Sequence, residues 1–302
     1  MQNTLRPSGG LKATRRRENI AGYLFMAPSL LFFIGFVIFP MGMCLVTSTF
    51  NYTMTDFSFI GLGNYAELFR DVTFTKSFVN TVIIVVTSVP TVCLFSLWVA
   101  SVIYKLKPAS TSFFRCVFYL PVVTGSVAVT VVWKWMFNTY YGLFNYVFND
   151  LLGLLSRDLN WLGSPDTALW CIIMILFTTS IGQPIVLYVA ALNNVDPSLV
   201  EAAEVDGATP MQVFWRIKWP QIMPTTLYIL VITTINSFQC FALIQLLTSG
   251  GPNYATSTIM YYIYYEAFKL YRYGYGSAMG VVLAVIIAVF SAVQFRLAKS
   301  EN

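Results

Sequence analysis

The sequence contains no histidine, and it is poor in charge: only 10% of its 302 residues are charged, and only 13 are acidic. The absence of histidine excludes Ser-His and Cys-His catalytic pairs. The five cysteines form no CxxC pair, so zinc, haem and iron–sulfur sites also lack sequence support. The phosphate-binding motif GxxxxGK[ST] is missing, so the chain has no usual means of hydrolysing ATP. We therefore expect no catalytic residue, no metal and no cofactor in this chain.

Apolar residues dominate instead. They make up 57% of the chain, and the mean hydropathy is +0.68, whereas soluble domains carry roughly 25% charged residues. About 20 apolar residues in a helix cross a hydrocarbon core of about 30 Å. The runs are too long and too uniformly apolar for the short alternating strands of a β-barrel. We predict an all-α integral membrane protein with six transmembrane helices near 20–46, 78–104, 113–136, 167–193, 222–247 and 275–297.

The distribution of positive charge predicts the topology. With the amino terminus inside, 12 Lys and Arg residues fall in cytoplasmic segments and six in outer segments. Cytoplasmic loops carry the excess of positive charge, so both termini are predicted inside. The net charge of +5 is thus a topology signal and gives no reason to expect nucleic-acid binding. The predicted organisation is a cytoplasmic basic tail (1–19), a leading helix (20–46), an outer loop (47–77) and a five-helix core (78–297) that contains a cytoplasmic loop (194–221).

Acidic residues concentrate in that cytoplasmic loop, where four of the 13 acids fall within 11 residues: Asp196, Glu201, Glu204 and Asp206. Asp196 followed by Pro197 is typical of a helix start. Gly207 is suited to the left-handed conformation that ends a helix. The sequence therefore predicts a short helix between these residues.

A second helix start follows at once. Thr209 and Gln212 have the spacing of a capping box, and Pro210 fits the first turn. We expect Pro220 to end this second helix and Pro224 to begin the fifth span. The result is a stiff helix–turn–helix on the inner face that exposes Met211, Phe214 and Trp215, which is unusual for a passive connector.

These residues resemble a motif of the permease subunits of ATP-binding-cassette importers. The motif reads Glu-Ala-Ala, three residues, Gly, nine residues, then Ile-x-Leu-Pro. Here Glu201–Ala203, Gly207 and Ile217–Pro220 match it in type and spacing, with Trp219 in place of the leucine. Segments similar to the carbohydrate branch, related to the maltose permease, are 59–65, 120–121, 161–165 and 245–252. The resemblance extends from about residue 20 to 297 and implies the type I permease fold in its minimal six-helix form.

The resemblance implies an assembly. A second homologous permease, two ATP-binding subunits and an extracytoplasmic solute-binding protein would complete an importer in a bacterial or archaeal cytoplasmic membrane. ATP would be bound by the partner subunits, and the solute would be a sugar, a di- or oligosaccharide. The first helix of the loop would dock in the ATP-binding subunit as a coupling helix. The residues expected in this contact are Glu201, Ala202, Ala203, Asp206, Gly207, Met211 and Phe214.

Candidate solute contacts lie in the fourth and fifth spans. Polar residues of the fifth span include Thr233, Asn236, Ser237 and Gln239, and polar groups in a span usually face the bundle interior or a watery cavity. Hydrogen bonding between helices is the alternative role. In the fourth span, Gly182-Gln183-Pro184 indicates a bend beside a polar cavity. The resemblance implies sugar-contacting positions at Thr233, Ser237, Cys240, Gly182 and Ile185, the last being aromatic in the family.

Other functions remain open at this point. A secondary transporter would normally need an acid or base within the membrane for ion coupling, and the six charge-free intervals offer none. A membrane enzyme would need catalytic groups that the chain lacks. Importers of glycerol phosphate are the nearest alternative for the solute. Their anionic solute would favour a cation in the cavity, and the spans show no obvious one, which favours a neutral sugar.

Overall fold

The structure is a computed structural model, and it describes residues 11–154 and 158–299. The amino-terminal half contains α1 (Leu11–Phe33), a π-helical segment (Ile34–Ile38), α2 (Phe39–Thr47), β1 (Phe50–Tyr52), β2 (Phe57–Phe59), α3 (Gly63–Leu68), α4 (Val72–Ile103), α5 (Pro108–Val123), α6 (Ser126–Met136), α7 (Leu143–Asn145) and a second π-helical segment (Tyr146–Leu151). The remainder contains α8 (Pro165–Ser180), α9 (Gly182–Asn193), α10 (Pro197–Val205), α11 (Pro210–Val213), a π-helical segment (Phe214–Lys218), α12 (Trp219–Phe238), α13 (Ala242–Leu247), α14 (Ile259–Tyr264), a last π-helical segment (Tyr265–Lys269) and α15 (Tyr273–Lys299).

The described residues contain five helical stretches that are long and apolar enough to cross a membrane: Glu18–Thr47, Val72–Ile103, Pro165–Asn193, Pro210–Leu247 and Tyr273–Arg296. Helices α5 and α6 qualify as a further span when they are taken together, although the chain bends by 94° between them. The prediction of an all-α, multi-span membrane fold is confirmed.

The third predicted span, near 113–136, corresponds to two helices, α5 and α6, and begins earlier than predicted, at Pro108. Pro121 has no N–H to donate in the last turn of α5, and Thr124 and Gly125 then adopt extended backbone angles. The helical hydrogen bonds therefore stop at Val123 and start again at Ser126. The bend turns α6 away from the axis of α5.

The leading helix begins at Leu11, whereas the sequence predicted a separate basic tail over 1–19. Residues 1–10 of that tail lie outside the described residues. Along Glu18–Thr47 the apolar side chains are exposed, with Phe25 at 89% exposure, and only the outer end near Thr47 packs against α15. A continuous apolar surface of this size fits a hydrocarbon environment.

The core of the bundle is built where α4, α9, α12 and α15 meet. Fully buried side chains from these helices include Val92, Ile185, Ile229 and Met279, and Tyr188 is 1% exposed in the same cluster. This cluster fixes the positions of α9 and α12, the two helices that carry the candidate solute contacts.

The outer loop predicted over 47–77 is ordered by main-chain contacts. Its strands pair antiparallel, with Phe50 opposite Phe59. The side-chain amide of Asn64 donates to the carbonyls of Ser48 and Phe50 at 2.8 and 2.9 Å. Gly274 permits the hairpin to approach α15, because a Cβ there would lie 2.1 Å from the carbonyl oxygen of Phe50. These contacts make this loop an ordered part of the fold that packs against α15.

Candidate coupling surface and transport cleft

The loop over 194–221, predicted to be cytoplasmic, starts with the predicted cap. Asp196 accepts hydrogen bonds from the amide of Ser198 at 2.9 Å and from its hydroxyl at 2.8 Å, and α10 follows from Pro197. These hydrogen bonds from Ser198 lower the pKa of the Asp196 carboxyl, which holds the cap in its charged, accepting form. At the other end Gly207 has a φ of +83°, so the predicted left-handed helix end is confirmed.

The capping box of the second helix is also confirmed. The amide of Thr209 donates to Oε1 of Gln212 at 2.8 Å, and the amide of Gln212 donates to Oγ1 of Thr209 at 3.4 Å. The predicted stop at Pro220 is wrong. The helix passes Pro220 through the π-helical segment, in which the amide of Trp219 donates to the carbonyl of Phe214. This wider turn accommodates the proline, and α11 runs on into α12.

The exposed face of this loop combines acids with large apolar side chains. Glu201, Ala202, Glu204, Asp206 and Gly207 are exposed, and Ala203 is half-buried. Val205 is 88% exposed, Met211 66% and Trp215 54%, whereas Phe214 is half-buried. We call the exposed set, Glu201, Glu204, Val205, Asp206, Met211 and Trp215, the coupling surface. Apolar exposure of this kind, rimmed by charge, is typical of a surface that another protein covers.

The second candidate site is a cleft of about 130 Å³ between α9, α12 and the end of α8. We call it the central cleft. It brings together three of the predicted solute contacts, Gln183, Thr233 and Asn236, with Gln183 and Asn236 exposed and Thr233 buried. Its apolar lining comes from Val122, Pro184, Leu187 and Ile232. Amide and hydroxyl groups beside apolar side chains offer hydrogen bonds and non-polar contact to one small ligand.

The other predicted contacts lie outside this cleft. Ile185 is fully buried in the core, Ser237 is 2% exposed and Cys240 is 6% exposed. Gln239 is exposed but does not line the cleft. Gly182 lies against α5, where a Cβ would come within 2.4 Å of the carbonyl oxygen of Phe118. In this conformation four of the predicted contacts pack between helices and do not line the cleft: Gly182, Ile185, Ser237 and Cys240.

Two polar lining residues were missed in the sequence, Thr179 and Ser180. They precede Gln183 by four and three residues, so they share its side of the span. That spacing is the signal that could have found them.

Comparisons with known proteins identify the family of this chain. Residues 59–301 match the family described as binding-protein-dependent transport system inner membrane component. The chain belongs to this family. The family resemblance seen in the sequence is therefore confirmed, and the protein is a multi-pass membrane component of ABC-type transport.

Relatives in this family cover almost the whole chain. The probable ABC transporter permease protein YesP of Bacillus subtilis is 33% identical over 93% of this chain and 91% of its own length. The lactose transport system permease protein LacF of Rhizobium radiobacter is 31% identical over 95% of this chain and 97% of its own length. A subunit in the crystal structure of a bacterial alginate ABC transporter, in complex with an alginate pentasaccharide-bound periplasmic protein, superimposes with a TM-score of 0.80. That match covers 95% of this chain and 96% of the subunit at 23% identity, and it confirms the type I permease fold.

Proposed function

We propose that this family member is a permease subunit of an ATP-driven importer for a di- or oligosaccharide. The observation that carries the proposal is the continuity of one helical stretch, Pro210–Leu247, between two sites. Its cytoplasmic end bears Met211 of the coupling surface, and its interior bears Thr233 and Asn236 of the central cleft. Met211 and Asn236 are 25 residues apart, which corresponds to about 38 Å of helix. A displacement at the loop can therefore be carried into the cleft by a single stiff element.

The energy for this movement comes from partner subunits in our proposal. The chain contributes no ATP site, no metal and no cofactor of its own, and two ATP-binding subunits supply the hydrolysis. The coupling surface docks in one of them, with Glu201 accepting from a basic residue and Gly207 setting the turn. A second homologous permease and an extracytoplasmic solute-binding protein complete the importer.

The solute chemistry follows from the cleft. The amides of Gln183 and Asn236 and the hydroxyls of Thr179 and Thr233 match the donors and acceptors of sugar hydroxyl groups. Leu187 and Ile232 supply contact for the C–H faces of a sugar ring. Among relatives, LacF is the permease of a lactose transport system, which supports the saccharide class.

The final part of the proposal concerns the membrane in which the chain lies and its orientation there. We assign it to the cytoplasmic membrane of a bacterium or archaeon with both termini inside. The support is the excess of Lys and Arg, 12 against six, on the side that this orientation places inside, where Arg115 near the inner end of α5 is counted with the inside residues. The coupling surface then faces the cytoplasm, where ATP is available.

Substitutions in the coupling surface test the mechanism. In the reconstituted importer, Glu201→Lys and Gly207→Pro are expected to lower both solute uptake and solute-stimulated ATP hydrolysis, with the chain still present in the membrane. Glu18→Lys is the matched control, because it makes the same change of charge at an exposed acid of α1, outside the coupling surface, and it should leave both activities unchanged. Normal transport by both Glu201→Lys and Gly207→Pro would contradict the coupling role.

The saccharide assignment has a separate test. The cognate solute-binding protein is screened by thermal shift against sugars, sugar phosphates and amino acids. Stabilisation by a di- or oligosaccharide is expected. Stabilisation by amino acids alone would overturn the carbohydrate assignment and leave the importer mechanism intact.

A further inference from the structure

The third span contains a cation, Arg115, which the count of charge-free intervals had left out. Arg115 lies midway along α5, seven residues after Pro108 and eight before Val123. It is half-buried and lines a cleft of about 440 Å³ between α5 and α9. We call this the inner cleft. Its other lining residues are Cys116, Tyr119, Gln183, Val186 and Leu187.

The inner cleft adjoins the central cleft, because Gln183 and Leu187 line both. Gln183 lies ten residues before the end of α9 at Asn193, or about 15 Å along the helix. It lies 18 residues after the start of α8 at Pro165, or about 27 Å. These distances place Gln183 in the inner half of the hydrocarbon core, and Arg115, seven residues or about 10 Å after the start of α5 at Pro108, lies nearer its inner end.

A charge at that depth is expensive unless it faces water or a counter-charge. Among residues 11–154 and 158–299, Arg115 makes neither a salt bridge nor a side-chain hydrogen bond, since the salt bridges found there both belong to Arg272. The guanidinium group of Arg115 is thus available to an anion that enters the cleft. Its planar donors match the two oxygens of a carboxylate.

We propose that the inner cleft is an anion-recognition site on the translocation path, and that the imported saccharide carries a carboxylate, as a uronic acid does. This inference rests on the proposed saccharide function and narrows its substrate class. Arg115 pairs with the carboxylate, Gln183 hydrogen-bonds the neighbouring hydroxyls, and the ring of Tyr119, which is 38% exposed, packs on the sugar face. A solute leaving Thr233 and Asn236 of the central cleft reaches Arg115 by way of Gln183.

The inner cleft contains a cysteine that can be labelled to detect which reagents and solutes enter it. Cys116 neighbours Arg115 in sequence, lines the same cleft and is the exposed free thiol among the cysteines, since Cys93, Cys171 and Cys240 are buried and Cys44 is half-buried. Water-soluble methanethiosulfonates modify it through a mixed disulfide with release of methanesulfinate. The experiment uses the complete importer in nanodiscs of phosphatidylcholine. It compares an anionic reagent (sulfonatoethyl) with a cationic one (trimethylammonioethyl), and Cys116→Ser controls for labelling elsewhere.

We expect the anionic reagent to modify Cys116 about tenfold faster than the cationic one, since a neighbouring unit charge changes local reagent concentration by that order. Arg115→Gln should abolish this ratio, and Arg115→Lys should retain part of it. Lys134→Gln, at an exposed lysine in α6, is the matched control and should leave the ratio unchanged. Digalacturonate should protect Cys116 in the unmodified importer, and neutral digalactose should not.

Other outcomes distinguish the two proposals. No modification by either reagent, or the same ratio in Arg115→Gln, would overturn the anion site. Equal protection by digalactose and digalacturonate would overturn the anionic class and leave the saccharide importer standing. Protection by glycerol 3-phosphate alone would keep Arg115 as an anion site and remove the saccharide assignment. Protection by phosphatidylglycerol in the nanodisc, with none by a solute, would make the cleft a lipid site and overturn the inference.

Discussion

The ammonium group of Lys218 donates a hydrogen bond of 2.6 Å to the hydroxyl of Tyr104 and lies 5.0 Å from the centre of its ring. Tyr104 caps the carboxyl end of α4, and Lys218 ends the π-helical segment that leads into α12. Both residues also line an open cleft of about 300 Å³ with Glu201 of the coupling surface. The cytoplasmic loop is thus tied to the second span as well as to the fifth.

Removing the hydrogen bond between Lys218 and Tyr104 should weaken the mechanical connection between the loop and α4. Tyr104→Phe keeps the aromatic ring but loses the hydrogen bond, and hydrogen bonds to charged groups contribute about 1.5–3 kcal/mol when well formed. Because Lys218 and Tyr104 are part-exposed, we expect the lower end of this range, and a fall of about tenfold in solute transported per ATP hydrolysed. The measurement is uptake and phosphate release on the same proteoliposomes. Tyr23→Phe, at an exposed tyrosine of α1, is the control, and an unchanged ratio in Tyr104→Phe would contradict the prediction.

Gly207 should be sensitive to the backbone conformation alone. An added Cβ would meet no atom within 4 Å, but φ is +83°, which costs other residues about 1–2 kcal/mol. We expect Gly207→Ala to weaken binding of the ATP-binding subunit by roughly five- to 30-fold. Gly207→Asn should weaken it less, because asparagine tolerates the left-handed region. Titration of the isolated ATP-binding subunit onto reconstituted permease measures this. Gly35→Ala, with open space and a helical φ, is the control, and equal binding by all three variants would contradict the explanation.

Local sequence was sufficient to predict the caps of the cytoplasmic loop. The hydrogen bonds of Asp196 and of the Thr209–Gln212 capping box join residues only two or three positions apart, so the local sequence is enough to specify them. The effect of Pro220 was mispredicted because it depends on the π-helical turn before it, and the sequence gives no separate signal for that turn.

The solute contacts were only partly predictable for a different reason. Asn236 and Ser237 are adjacent polar residues of one helix, yet Asn236 lines the central cleft and Ser237 is 2% exposed. Helical periodicity separates their faces by about 100° but does not say which face meets α9. Arg115 was counted with the inner segments because it precedes the charge-free interval, although the predicted span 113–136 contained it and α5 begins seven residues before it. Packing between spans decides both points.

Gly182 should be indispensable for the approach of α9 to α5. A Cβ there would lie 2.4 Å from the carbonyl oxygen of Phe118 and 2.8 Å from Cγ2 of Val122, and neither the backbone nor the packed valine can give way easily. Overpacking of this kind costs about 1–3 kcal/mol. We expect Gly182→Ala to lower the melting temperature of the detergent-purified complex and to reduce uptake. Gly22→Ala, with nothing within 4 Å, is the control, and a wild-type melting curve for Gly182→Ala would show that α9 can shift freely.

Asp71 should make the stability of the outer face depend on pH. Its carboxylate caps α4 by accepting from the amide of Thr73 at 2.7 Å, and it accepts from the hydroxyls of Tyr262 and Tyr275 at 2.7 Å each. Burial tends to raise the pKa of Asp71, but the hydrogen bonds from Tyr262, Tyr275 and the backbone outweigh it and leave the pKa lowered. A lowered folded-state pKa contributes stability above the ordinary value of about 3.9, and this contribution is lost as pH falls through the folded value.

Ionisation of Glu266, in the same network, changes stability with pH in the opposite direction, so the measurement has to separate the two carboxylates. Burial raises the pKa of Glu266, against the charge of Arg272 and the hydrogen bond that Arg272 donates at 3.1 Å, so its contribution weakens as pH rises through the raised value. Glu67 joins the network through its salt bridge to Arg272. The effect of Asp71 is therefore isolated as the difference in melting temperature between the unmodified complex and Asp71→Asn. We expect this difference to be largest near neutral pH and to shrink below about pH 4. Asp166→Asn, at an exposed carboxylate, is the control, and a difference for Asp71→Asn that is the same at every pH would show that its ionisation does not hold the outer face together.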